Sequence, residues 1–97
     1  MKKVKQKMIP NSLRKCRRAR GLTQKEVAHI LGLNTTGLIS RWENGVCFPN
    51  PLTIIKLAIL YRTMADGLFI DLRRSLKDEI HKAEKKLLRK KANYQND

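Results

Sequence analysis

Residues Gly21–Gly45, GLTQKEVAHILGLNTTGLISRWENG, decide the reading of this chain. Thr23 and Glu26 have the T-x-x-E spacing of a capping box, in which each side chain satisfies a free backbone N–H at the start of a helix. Val27, Ile30 and Leu31 follow as an apolar face, and Ala28 leaves room for a close neighbour. Gly32 supplies a left-handed stop. A third helix is predicted from Thr35 or Thr36 to about Glu43, ended by Asn44-Gly45. At about 100° per residue from Thr36, Leu38, Ile39 and Trp42 fall on one side of this helix, and Thr36, Gly37, Ser40 and Arg41 on the other. Ile39 and Trp42 should lock onto Val27, Ala28 and Leu31. The small and polar quartet should face outward together.

The flanks add helices and no strand signal. Asn11 or Ser12 can cap a first helix over roughly 12–20, with Leu13, Cys16 and Ala19 on its inner side and Gly21 as its stop. After a loop fixed by Pro49 and Pro51, a fourth helix is predicted from Thr53 to Arg62, with Ile54, Ile55, Leu57, Ala58 and Tyr61 on a broad buried face. Asp66 should cap a fifth, whose Leu68, Phe69 and Leu72 close the core. Apolar residues then recur at Leu76, Ile80, Ala83 and Leu87 with no Gly or Pro, so this helix should continue as an amphipathic one. The last residues, 93–97, should fray. The fold class is all-α.

Charge points to the partner. The 97 residues carry 22 Lys and Arg against 8 Asp and Glu, a net +14. Nine of the bases and no acid lie in residues 1–20; residues 21–70 are nearly neutral; residues 71–97 hold nine bases and five acids. Polyanions suit such a chain, nucleic acid first and an anionic membrane surface second. Lys2, Lys3, Lys5 and Lys7 resemble the charged start of a signal peptide, but no apolar stretch of the needed length follows, so a cytoplasmic location is expected. The longest apolar run, Leu57–Tyr61, is far short of a membrane span. Cys16 and Cys47, His29 and His81 are too scattered to build a metal site, and the thiols should be reduced. No carboxylate pair, nucleophile–base set or phosphate-cradling loop appears, so no catalysis and no cofactor are expected.

Leu13-Arg14-x-x-Arg17, Gly21-Leu22-Thr23-Gln24-x-Glu26-Val27-Ala28, Leu31-Gly32, Ile39-Ser40-Arg41-Trp42-Glu43-Asn44-Gly45, Pro49 and Leu57-Ala58 stand in the order and nearly the spacing of the lambda-repressor-like family. The chain resembles this Cro and phage-repressor, or XRE-type, helix-turn-helix family over residues 12–70. The resemblance implies five helices, with the second and third as the DNA-binding pair and the third in the major groove. One departure stands out: Gly32 to Trp42 is one residue longer than usual. The extra residue falls in the turn, 33–36, and bears on the register of the base-facing positions.

Side-chain chemistry then assigns roles. Arg41 can fork onto a guanine or reach a phosphate, and Thr36 can bond a base edge or touch a thymine methyl. Gly37 permits close approach, and Ser40 shares its face. Thr35 can cap the helix and meet a phosphate. Gln24, with the backbone N–H groups opening the second helix, suits a phosphate oxygen, and Asn44 matches a family position whose backbone meets phosphate. The resemblance also implies an ion pair between Arg17 and Glu43.

The expected organisation is a basic arm over 1–10, a helix-turn-helix DNA-binding domain over 11–70 and a charged amphipathic helical extension over 71–97. The leading reading is a sequence-specific, repressor-like transcriptional regulator that acts as a homodimer on a pseudo-palindromic double-stranded operator. An antitoxin whose extension binds a toxin is the narrower alternative. A nonspecific RNA- or membrane-surface-binding basic protein is the alternative of a different class.

Overall fold

A computed structural model describes residues 8–93. The elements along these residues are α1 (Leu13–Ala19), α2 (Gln24–Leu31), α3 (Gly37–Glu43), α4 (Pro51–Leu60), a 3-10 turn (Ala65–Phe69) and α5 (Ile70–Asn93). The five-helix, all-α expectation therefore holds. The segment carrying Lys2, Lys3, Lys5 and Lys7 lies outside the described residues, as does the expected fraying beyond Asn93.

The predicted capping box forms at α2. Thr23 Oγ1 accepts the Glu26 N–H at 3.1 Å, and Glu26 Oε1 accepts the Thr23 N–H at 2.9 Å. Gly32 ends the helix at φ 73°. The α1 boundary is set by Asn11, whose Oδ1 accepts the Leu13 N–H at 3.1 Å. Its Nδ2 lies within reach of the carbonyls of Trp42 and Glu43 at 3.2 and 3.3 Å. One carboxamide thus joins the start of α1 to the end of α3.

Several expectations shift. α4 begins at Pro51 instead of Thr53, because Asn50 caps it: Asn50 Oδ1 accepts the Thr53 N–H at 2.8 Å, with proline at the first helical position, where no N–H is needed. α4 ends at Leu60 instead of running to Arg62, which adopts a left-handed φ of 56°. Asp66 caps nothing. It sits in the 3-10 turn and accepts Arg73 Nε at 2.9 Å. The long helix starts only at Ile70.

The core gathers Leu13, Val27, Ala28, Ile39, Trp42, Leu57, Ala58, Tyr61 and Leu68, so every helix up to the 3-10 turn contributes to it. Ile39 and Trp42 pack inward as the angular reading required. Ile30 and Ile55, expected on buried faces, are exposed, and so is Ala19. Helices of seven to ten residues offer the core only about two turns each, and the second apolar rows of α2 and α4 are left facing out. α5 adds no buried residue to the core: Leu72, expected to help close it, is only half-buried, and every residue from Arg73 to Asn93 is exposed. Among the described residues Asp78 and Lys82, one helical turn apart on α5, form no ion pair. The ion pairs there are Arg73–Asp66 and Arg74–Asp71, the second at 3.7 Å. No described helix is long and apolar enough to cross a membrane.

Candidate nucleic-acid interface

The turn between α2 and α3 fixes how α3 is presented. Leu33 donates its N–H to the Ala28 carbonyl at 2.8 Å, which closes α2, and residues 34–36 then bend into α3. Thr35 Oγ1 accepts the Gly37 N–H at 3.3 Å, while Thr36 occupies the cap position with no side-chain cap bond of its own. The Thr36 hydroxyl is therefore not spent on capping the helix. α3 starts at Gly37, slightly later than expected, because the longer turn consumes both threonines.

From this start the helix exposes Gly37 and Arg41, with Ser40 and Thr36 beside them. Leu38, placed on the apolar side by its angle, is nevertheless exposed. A Cβ at Gly37 would meet only Thr35 Oγ1, at 3.5 Å, an ordinary contact, so neither backbone nor packing demands glycine there.

Beneath this face lies a polar cluster centred on Glu43, whose side chain is 1% exposed. Arg17 donates Nε to Oε2 at 2.6 Å and Nη2 to Oε1 at 3.1 Å. Oε1 also accepts Gln24 Nε2 at 3.0 Å and Arg14 Nε at 3.2 Å. The carboxylate thus ties α1, α2 and α3 together. Burial pushes its pKa up, but the hydrogen bonds of Arg17 and Gln24 and the charge of Arg17 outweigh that, and the net shift is downward. Arg17 is held protonated more firmly than usual, chiefly by its hydrogen bond to Glu43.

The cluster reaches the surface. Arg14 Nη2 donates to Asn44 Oδ1 at 2.7 Å, and Asn44 Nδ2 lies 3.4 Å from Ser40 Oγ. Gln24, Ser40 and Asn44 are thereby brought into one network with Arg14 and Glu43. The spacing of residue types gave no role to Arg14 and did not link Gln24 to Glu43, since both contacts cross between helices. A positive first-helix residue three before Arg17, on the same face, was the available signal.

Next to this network the chain closes tightly. Ile9 donates its N–H to the Gly45 carbonyl at 2.9 Å, so the stretch that follows the basic start of the chain is fixed beside the end of α3.

A helix-turn-helix family model matches residues 13–66. No curated protein and no solved structure matches the chain. With more than half of its length inside the match, and with α2, the turn and α3 built as described, the chain belongs to the Cro/phage-repressor, XRE-like family of helix-turn-helix DNA-binding domains.

Proposed function

We propose that the chain is a cytoplasmic, sequence-specific transcriptional regulator of the repressor-like kind, that it has no catalytic role, and that it reads the major groove with α3. Thr36, Gly37, Ser40 and Arg41 face base edges in this reading. Gln24, Thr35 and Asn44 meet the phosphate backbone. Two copies bind the two halves of a pseudo-palindromic operator, because a two-fold protein matches a two-fold site. The DNA-binding unit spans residues 11–70, preceded by a basic arm over 1–10 and followed by the extension over 71–97.

The observation that carries the reading is the division of α3. Ile39 and Trp42 are buried, while Gly37 and Arg41 stand in solvent, next to the Arg14–Asn44–Ser40 chain of hydrogen bonds. Glu43 is engaged with Arg17 beneath this face, and among the described residues Arg41 pairs with no acid. Ile9, which follows the lysine-rich start in the sequence, is held beside Gly45 at the end of α3. These features suit a polyanion with sequence-dependent edges.

The test is selection of binding sites from a random duplex pool by the wild-type chain, Arg41→Ala and Arg18→Ala. The wild type should enrich one motif with two related halves. Arg41→Ala should cost about 1–3 kcal/mol on that motif and relax one base pair in each half, whereas Arg18→Ala should leave the motif intact. Failure of the wild type to enrich any motif would remove sequence-specific reading. An unchanged motif for Arg41→Ala would make Arg41 a phosphate clamp.

A further inference from the structure

Among the described residues, the outer part of α5 is an apolar face that nothing covers. Leu76, Ile80 and Leu87 are 48%, 60% and 59% exposed. Beside its first turns lies a groove of about 500 Å³, lined by Phe48, Ile54 and Phe69 on one side and Leu72, Leu76 and Ile80 on the other. Leu76, Ile80, Ala83 and Leu87 are spaced by four, three and four residues, the step of a helix–helix seam.

We propose that this seam pairs with the same seam of a second copy, antiparallel, about a two-fold axis level with residues 81 and 82. The proposal rests on the two-copy reading above and adds to it the surface and the orientation. Charge decides both. Residues 70–81 hold three bases and three acids, whereas residues 82–93 hold six bases and one acid. Parallel helices would lay the second, strongly positive half against its own copy. Antiparallel helices lay it against the neutral half.

The flanking positions agree residue by residue. In the antiparallel register Leu76 lies opposite the partner's Leu87 and Ile80 opposite the partner's Ala83, with the reverse pairs generated by symmetry. Four layers result, over about 16 Å of helix at the usual rise. Lys77 then flanks the partner's Glu84, and Glu79 flanks the partner's Lys86. Both pairs are opposite in sign, and each occurs twice. In the parallel register Glu79 would meet the partner's Glu84, and Lys86 the partner's Lys91, all of like sign. The flanking charges of paired helices set orientation in this way. The next antiparallel layer would set Arg73 against the partner's Lys90, so the seam ends at Leu76, and Arg73 is already bound to Asp66 at 2.9 Å. Leu76 also lines the groove, so the partner's Leu87 reaches the groove mouth.

Sedimentation equilibrium of the full-length chain at low salt, up to about 100 μM to capture weak pairing, tests the proposal through the sign of one substitution. Glu79→Lys should weaken the dimer about five- to tenfold by turning two attractive flanking pairs repulsive. Glu79→Lys with Lys86→Glu should restore it. Asp78→Lys, with the same charge change on the outward side of α5, should do neither. Circular dichroism of each variant confirms that α5 remains helical. Tighter association of Glu79→Lys would establish parallel helices and overturn the proposal. A dimer indifferent to Glu79→Lys and to Ile80→Asp would overturn it too, while leaving two-copy operator binding intact through another surface. A monomer at every concentration would overturn it and the two-copy reading together, without touching DNA binding by a single copy.

Discussion

Arg17 and Glu43, 26 residues apart in the chain, meet through two nitrogen–oxygen hydrogen bonds of 2.6 and 3.1 Å, and the carboxylate they share with Gln24 and Arg14 is closed to water. Removing Glu43 leaves the Arg17 charge buried and uncompensated, and removing Arg17 leaves the buried carboxylate with only the half-exposed Arg14 as a charge partner. Glu43→Ala and Arg17→Ala should each cost about 3–5 kcal/mol in urea unfolding, against less than about 0.5 kcal/mol for the exposed Arg18→Ala. Sub-kilocalorie effects for all three would mean that the pair contributes no more than a surface ion pair does.

The same carboxylate makes stability depend on acid. Its folded pKa lies below the ordinary glutamate value of 4.5, so near and below that pH the unfolded chain binds the extra proton. The contribution is fully present above that range and is lost as pH falls through the folded pKa. Glu43→Gln should therefore flatten the acid limb of a stability–pH curve. Tyr61 acts at the other end. Burial, followed by the charge of Glu43, pushes its hydroxyl up to about 12 from an ordinary 10.0. Between these values the unfolded chain loses a proton that the folded chain keeps, so stability falls as pH rises. The linked loss is about 2 kcal/mol, and Tyr61→Phe should remove it when unfolding is measured from pH 9 to 12.

Two left-handed positions predict effects of opposite sign. Gly45 has φ 74°, and a Cβ on it would lie 2.5 Å from the Ile9 carbonyl oxygen and 2.8 Å from its nitrogen. Gly45→Ala should cost about 2–3 kcal/mol, since both the backbone conformation and its approach to Ile9 must yield. Arg62 holds φ 56° where α4 ends, with its successor Thr63 donating back to the Ala58 carbonyl at 3.0 Å. Glycine relieves the strain of that conformation but adds freedom to the unfolded chain. Arg62→Gly should stabilise by about 0.5–1 kcal/mol in thermal or urea unfolding. A destabilised Arg62→Gly would show that the arginine side chain contributes there.

For DNA binding, substitutions should separate into those that change which sequence is bound and those that change how tightly all sequences are bound. Replacing Lys2, Lys3, Lys5 and Lys7 with alanine should weaken specific and random duplex alike, and should lower the salt slope by about 0.9 for each phosphate that is no longer neutralised. Gly37→Ala should fold at least as well as wild type, by about 0.5–1 kcal/mol from the lower entropy of the unfolded chain. It should nonetheless lose affinity for the operator if close approach of the α3 backbone is needed. Titrations at two salt concentrations separate the two classes.

Local chemistry carried most of the fold. The Thr23–Glu26 capping box, the stops at Gly21 and Gly32 and the burial of Ile39 and Trp42 depend on groups within a turn or two of each other, and short spacings encode them. The exposure of Gly37 and Arg41 followed from the same periodicity, which put the exposed Leu38 on the wrong side. The limits of α4 also rest on local signals, an asparagine cap before proline and a left-handed residue after the last turn, but arginine in that conformation carries no such signal in its identity. What only the tertiary structure decided is which further groups join the Arg17–Glu43 pair that the family resemblance implied. Glu43 gathers Arg14, Arg17 and Gln24 from two other helices, and Asn11 links the start of α1 to the end of α3, because packing brings distant residues within hydrogen-bonding reach of one another, and no spacing in the chain records that distance. The exposure of Ile30 and Ile55, against an amphipathic pattern that would bury them, has the same origin: a core of short helices has one inner side for each, and the packing chooses which apolar row fills it.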